Sequence, residues 1–310
     1  MSEVINKKLI TKPILKWVGG KTQILDKILP KFPREFNNYH EIFLGGGSVL
    51  FALLSYIKNG IIKCNGKIYA YDVNTPLINL YINIQKNPIE LFNSISDMKE
   101  IYSNITSLIV NRKPESIAEA LSSKESYYYW IRIKYNKLSG EEKKTIHGTT
   151  MFIFLNKTCF RGIFREGPNG FNVPYGNNKN PEIANLNHII EVSNLIQNVI
   201  FEACCFEKAF ENISVGDFTY LDPPYAPKNQ TSFVSYTKNG FDEKQHNKLF
   251  DLCSNLEQLE VKMMMSNLNV PMVIDKFPTE LFVIDTILCK RLINSKKPSD
   301  SEVEVIITNY

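Results

Sequence analysis

Apolar positions along the chain alternate between two periods. Short runs rich in β-branched and aromatic residues recur at Tyr39–Phe43, Lys67–Tyr71, Val199–Phe201, Phe218–Leu221, Val261–Met265, Leu281–Ile287 and Val303–Ile307. Their length and composition predict buried strands. Between them lie stretches with helical spacing: Thr22–Leu29, Val49–Tyr56, Leu77–Ile84, Ile89–Ile109, Ile117–Leu121, Ser126–Leu138 and Lys248–Leu259. Strand and helix in alternation predict an α/β sheet domain. Four helical patterns in succession over 75–150 predict a helical insertion between two halves of that domain. The last two strands, joined by the polar stretch Ser295–Asp300, predict an antiparallel hairpin closing the sheet. Tyr127-Tyr-Tyr-Trp130 falls inside a helical pattern, where most of its rings belong to the core and base stacking is the lesser alternative.

Three strand ends carry chemistry. Phe218-Thr-Tyr-Leu221 stops at Asp222-Pro223-Pro224-Tyr225. Proline cannot extend a central strand, so the Asp222 carboxylate is presented at the carboxyl edge, where open α/β sheets bind ligands. Tyr225 follows on a stiff support. A carboxylate acceptor beside a fixed aromatic face suits a planar ring bearing an amino group; the bland alternative is a strand end with a turn. Tyr39–Phe43 leads into Gly45-Gly-Gly47-Ser48 and a helix, and Lys67–Tyr71 ends on Asp72, placed to accept from both hydroxyls of a ribose. The glycine spacing is not that of a dinucleotide fold, which favours a smaller adenosine ligand over NAD. Upstream, Trp17-Val-Gly19-Gly20-Lys21 sets a flat face and a cation around a loop a ligand can approach closely. It lacks the spacing of a phosphate loop and on its own is equally a turn.

Between the insertion and the second half, Asn156–Gly176 is dense in glycine, proline and asparagine, with arginines among aromatics. It reads as a long hairpin projecting from the body. Arginine can bond guanine in two places, asparagine adenine, and an apolar tip can wedge between bases. A structural loop is the alternative.

Charge narrows that choice. The net charge is only +4, but residues 1–34 hold eight Lys/Arg against two acids and 157–179 hold four against one, leaving about −5 for the rest. Two basic segments on a mildly acidic body point to an anionic partner met at particular places. Hydrophobic residues at 44% and charged residues at 22% are those of a globular protein. Six scattered cysteines without a Cys-x-x-Cys pair predict neither a disulfide framework nor a metal site, and suit a reducing, cytoplasmic setting. No apolar run reaches a membrane span, and no secretory h-region is present.

Taken in order, Leu15-Lys-Trp-x-Gly-Gly-Lys21, Phe43-Leu-Gly-Gly-Gly-Ser48, Asp72-x-Asn74, Gly162-x-x-Arg165, Phe171-Asn-Val-Pro-Tyr-Gly176 and Asp222-Pro-Pro-Tyr-Ala-Pro227 resemble the Dam-like, α-group (D12 class) DNA adenine-N6 methyltransferases over nearly the whole chain. The combination is specific where each piece is not. The resemblance implies a doubly wound, Rossmann-like seven-stranded sheet (1–74 and 190–310) with an inserted, mainly helical target-recognition domain (75–189). It implies S-adenosyl-L-methionine as cofactor, bound by Trp17, Gly19, Gly20, Lys21, Phe43, Gly45, Gly47, Asp72, Cys205, Phe206 and Asp222. Catalysis falls to Asp222, Pro223, Pro224 and Tyr225. Phe160, Arg161, Ile163, Arg165, Asn172 and Pro174 would contact double-stranded DNA, Arg165 being the best candidate for a guanine. The implied reaction is methylation of a flipped-out adenine in a short palindrome, GATC or a related site such as CATG, by a monomer or weak dimer, with a cognate restriction endonuclease as a possible partner. Two departures stand out: Ile42 replaces the family's usual proline, and Arg161 stands where relatives of GATC specificity carry asparagine. The alternatives are a cytosine-N4 methyltransferase, which more often has serine in place of Asp222, and an inactive DNA-binding protein on the same fold.

Overall fold

A computed structural model describes residues 10–227, 241–290 and 301–310. The expected loop over the site at Ser232–Phe241 and the polar connection Ser295–Asp300 lie outside these residues, apart from Phe241. Seven strands form the main sheet: β1 (Tyr39–Glu41), β2 (Ile68–Asp72), β3 (Val199–Ala203), β4 (Phe218–Leu221), β5 (Lys262–Leu268), β6 (Val283–Lys290) and β7 (Ser301–Thr308). Their spatial order is β6-β7-β5-β4-β1-β2-β3. The five strands from β5 to β3 run parallel; β7 is antiparallel to both β5 and β6. The chain therefore reverses direction of growth between β1 and β4, and the crevice beyond their carboxyl ends is the switch point of the sheet.

Side chains alternate strictly across the strands. Phe218, Tyr220, Met264 and Ile306 share one apolar cluster, while Leu221, Met263, Met265, Val305 and Ile307 share the other. Helix α1 (Ser48–Lys58), apolar nearly all round, fills the first face with α2 (Thr75–Lys86), α3 (Pro88–Asn104), α4 (Lys124–Lys137), α5 (Ile146–Thr158) and α6 (Leu186–Leu195). Helix α7 (Glu243–Gln258) covers the second through Leu249, Phe250, Cys253 and Leu256. The inserted helices are not a separate lobe hung on a linker. Gln85 of α2 donates to the carbonyls of Ile196 and Val199 at 2.8 and 2.9 Å, tying the insertion to the start of β3. Tyr127, Tyr128 and Tyr129 are buried as core residues. Among the described residues no helix is long and apolar enough to cross a membrane.

Four expectations shift. The helix expected over Thr22–Leu29 is broken into a 3-10 turn at Lys21–Gln23, one α-turn at Leu25–Ile28 and a second 3-10 turn at Leu29–Lys31. Ile24 (φ −116°) interrupts it and Pro30 prevents its extension. The pattern at Ile89–Ile109 outruns its helix, which ends at Asn104. Leu108 then bridges to Ser123, and Leu108 and Ile109 lie 88% and 74% exposed, so their apolar character does not mark a helix face. Strand β5 continues through Ser266 and Asn267 to Leu268, because β7 pairs with its last residues. The Asn156–Gly176 segment is not a long projecting hairpin. Its two arms do pair, by a bridge of Cys159 to Tyr175 at the base and by Glu166–Gly167 against Gly170–Phe171 near the tip, but they do not stand clear of the body. Helix α4 clasps it: Asn136 exchanges both amide bonds with Phe171 at 2.9 Å, and Tyr128 Oη donates to the Val173 carbonyl at 2.7 Å.

Candidate active site

The carboxyl ends of β1 and β4 open into a cavity of about 640 Å³, well sized for a nucleoside ligand. Ile42 extends β1 by donating to the Tyr220 carbonyl at 3.1 Å, so the missing proline costs the strand nothing. Of the expected cofactor and catalytic residues, Trp17, Gly19, Gly20, Lys21, Phe43, Gly45, Asp72, Cys205, Phe206, Asp222, Pro223, Pro224 and Tyr225 all line this cavity. Gly47 stands behind the wall. It caps α1 in the left-handed region (φ 73°), and a Cβ there would meet Tyr81 Oη at 3.1 Å and the Phe51 ring at 3.3 Å.

At the floor, Lys21 Nζ bonds Asp222 Oδ1 at 2.7 Å and lies 4.7 Å from the centre of the Tyr225 ring. It also donates to the Gly19 carbonyl at 3.0 Å, while the Lys21 backbone N–H donates to Ser48 Oγ. A lysine 5% exposed is tolerable only when paired. Burial pushes the Asp222 carboxyl above its ordinary range, and the Lys21 ammonium pulls it back. The 3-10 turn at Lys21 thus has a purpose: it aims the ammonium at the end of β4.

Asp72 sits across the cavity. Its two oxygens accept the backbone N–H groups of Gly45 and Asn74, each at 2.9 Å. Burial raises its pKa against these bonds. A carboxylate offers about four acceptor positions, so two remain for a diol. Gly19 (φ 81°) has open space where a Cβ would stand, which leaves its backbone approachable from the cavity. The glycine turn also has a close neighbour within the protein. A Cβ on Gly46 would come within 2.8 Å of Trp17 Cβ, and one on Gly45 within 3.1 Å of its indole ring. These glycines make room for Trp17, and Trp17 forms the cavity wall.

Sequence reasoning missed three residues here. Glu41 lies at the end of β1, 2% exposed, and accepts from Tyr39 Oη at 2.7 Å. Burial, with Asp222 nearby adding to it, pushes the Glu41 carboxyl up to about 8. Asn267, wholly buried on β5, accepts from the Ala226 N–H at 3.1 Å. Glu304 on β7 accepts from Tyr225 Oη at 2.8 Å. Only the acid ending β1 had a signal in sequence, its place just before the glycine turn.

The expected DNA-contacting residues form a surface adjoining this cavity. Phe160, Arg161, Arg165, Asn172 and Pro174 are exposed; Ile163 is half-buried against the core. Arg165 Nε donates to Asn172 Oδ1 at 2.7 Å, so two candidate base readers are paired with each other. Arg161 stacks over the Phe160 ring at 5.0 Å and holds φ 58°, a left-handed conformation that asparagine adopts more easily than arginine. Cavity and surface meet at Trp17, whose ring stacks on Phe164 with centroids 5.8 Å apart. Buried Asn156 joins them further, donating to the carbonyls of both Lys16 and Gly162.

A parallel sheet with an antiparallel strand slotted in beside β5, and a nucleoside-sized cavity at its switch point, define a Rossmann-like methyltransferase. The chain belongs to the D12 class N6 adenine-specific DNA methyltransferase family, whose family model matches residues 17–303. It is 34% identical over 309 residues to Type II methyltransferase M.MjaIII of Methanocaldococcus jannaschii, spanning 96% of this chain and 99% of that one. To Type II methyltransferase M1.LlaDCHI of Lactococcus lactis subsp. cremoris it is 31% identical, over 98% and 97% of the two chains. To the DNA adenine methylase of Haemophilus influenzae it is 31% identical, over 84% and 80%. The protein is thus an adenine-specific DNA methyltransferase.

Proposed function

We propose that this enzyme uses S-adenosyl-L-methionine to methylate N6 of an adenine flipped out of a short palindromic duplex site, GATC or a relative such as CATG. The observation that carries this reading is the floor of the cavity: an ammonium bonded to Asp222 and poised over the Tyr225 ring. Lys21 occupies there the position that an aromatic amino group would take, bonded to the acid and against the ring.

The residues fit the cofactor. Asp72 keeps acceptor positions for a ribose, Gly19 leaves its backbone open, and Trp17, Phe43 and Phe206 supply apolar walls. When bound, S-adenosylmethionine supplies an electrophilic methyl group on a sulfonium. The chain's own residues do the rest. A base inside a duplex cannot reach this crevice, so it enters unstacked. Tyr225 stacks on its ring. Asp222 and the Pro223 carbonyl accept the two amino protons and draw N6 towards tetrahedral geometry. With the methyl donor bound, N6 would take the methyl group as its bond to sulfur breaks, and the Asp222 carboxylate would then take one proton from N6. Positioning supplies much of the rate. Lys21 swings off Asp222 as the amino group arrives.

Residues 1–74 and 190–310 are proposed as the catalytic part and 75–189 as the target-recognition part, a division of labour rather than of packing. Within it the surface around 156–176 reads base edges, Arg165 exchanging Asn172 for a guanine. A restriction endonuclease acting on the same site, and a monomeric or weakly dimeric state, belong to the same reading.

The test is expression in a methylation-deficient host followed by sequencing that detects modified bases. N6-methyladenine confined to one short palindrome is the expected result. Modification of cytosine N4, or of adenines without a shared motif, overturns it.

A further inference from the structure

We propose that Glu304, on strand β7, is a positioning residue for methyl transfer, holding the Tyr225 ring beside the Asp222 carboxylate through the tyrosine hydroxyl. This rests on the reading of Tyr225 as the stacking face for the target base.

The loop that leaves β4 is hard to fix from its own backbone. Pro223 and Pro224 have no N–H to give, so attachment falls on the next two residues. Tyr225 Oη donates to Glu304 Oε2 at 2.8 Å, and the Ala226 N–H donates to Asn267 Oδ1 at 3.1 Å. Both acceptors belong to strands beyond β4, and they are neighbours in register: Glu304 stands opposite Leu268, and Val305 opposite Asn267. Asn267 is fully buried and its Oδ1 also accepts the Leu268 N–H at 2.8 Å, which fixes the side chain. Two consecutive residues of the loop are thus tied to two adjacent strands. A ring held at its far end cannot swing away from Asp222.

Charge adds to geometry. A phenol donating to a carboxylate makes a charge-assisted bond and a more electron-rich ring. Such a ring attracts positive charge above its face more strongly. The Lys21 ammonium already sits there, 4.7 Å from the ring centre. Methyl transfer places positive charge on N6 at the same face before the amino proton is lost.

The test is a cycle of Tyr225→Phe, Glu304→Ala and the double variant in the full-length enzyme, read by single-turnover methylation of a duplex and by the KM for methyl donor. If Glu304 acts through the hydroxyl, each single change slows the methyl-transfer step about tenfold. The double variant is then no slower than either single one, and the donor KM holds. Losses that multiply in the double variant overturn the proposal, as does a Glu304→Ala enzyme at wild-type rate. Should Glu304→Ala fold poorly by thermal melting, Tyr225→Phe is compared with Tyr225→Phe/Glu304→Leu. Equal rates sustain the proposal, and a further loss from Glu304→Leu sinks it. Asp222→Ala is run alongside. If that enzyme remains active, the reading of the site has failed; if it is dead while the cycle is additive, only the role of Glu304 has failed.

Discussion

The cavity floor and the 156–176 surface are built on opposite plans. In the floor, each working side chain is held by partners from other elements. Asp222 is bonded by Lys21 from the N-terminal turn, Tyr225 by Glu304 from β7, and Asp72 by backbone N–H groups of two loops. On the surface the working side chains are exposed and hold one another: Arg165 with Asn172, Arg161 with Phe160. Under the proposed function, the difference follows from the tasks. Moving a methyl group demands atoms fixed to a fraction of an ångström. Reading bases demands polar groups that can exchange an internal partner for a base edge. The two regions are joined by the Trp17–Phe164 stack and by Asn156; under the proposed function, a base read on one side would pass to a site already assembled on the other.

The strongest way to break this comparison is Asp222→Ala. Removing the acceptor should lower methylation by about three orders of magnitude, the scale seen when a preorganised transition-state partner is lost. Binding to duplex DNA, followed by gel shift, should persist with its sequence preference intact. A rate within tenfold of wild type would show that the floor is not the site of chemistry.

Gly46→Ala separates the wall from the floor. Its Cβ would lie 2.8 Å from Trp17 Cβ, so Trp17 must move. Overpacking of this kind costs about 1–3 kcal/mol. The expected outcome is a donor KM raised about tenfold with the preferred DNA site unchanged. An unaltered KM would mean that Trp17 is not a wall of the cofactor site.

On the surface, Arg165→Ala should lose about 1–3 kcal/mol of discrimination at one base position, the worth of a bidentate pair. Single-turnover rates on a pool of duplexes differing at each position measure it. A uniform fall on every duplex would assign Arg165 to the phosphates instead. Arg161→Asn asks a related question, since the left-handed backbone there (φ 58°) suits asparagine. It should keep the fold and shift the preferred site.

How much of this was legible in sequence depends on whether a role is local or not. Asp222-Pro-Pro-Tyr225, the glycine turn and Asp72 were legible because a strand end and its following turn are set by adjacent residues. Glu304 and Asn267 were not, because their roles exist only once β7 inserts antiparallel beside β5, a pairing across some 40 residues. Lys21 was visible as a cation near a loop, but its bond to Asp222 spans the whole inserted segment. The surface was misjudged in shape for a similar reason. Glycine and asparagine density signals a hairpin, but Asn136 and Tyr128 on a distant helix decide that it lies clasped rather than projecting. Leu108 and Ile109 show the reverse error, apolar residues in a helical pattern that the structure leaves in solvent.

An effect on stability rather than on rate concerns the acid behind the floor. Glu41 is buried, and its carboxyl is pushed from 4.5 to about 8, chiefly by burial. A carboxyl that holds its proton more tightly folded than unfolded favours folding while protonated. As pH rises from about 4.5 to about 8 the unfolded chain releases this proton and the folded one keeps it, so stability falls across that window. Glu41→Gln removes the titration and keeps an acceptor for Tyr39. Its stability relative to wild type should rise between pH 5 and pH 8, by an amount on the order of a few kcal/mol. Denaturant unfolding of both proteins at several pH values measures the difference. A constant gap from pH 5 to pH 8 would show Glu41 ionised in the folded protein, and would place a second carboxylate charge beside Asp222.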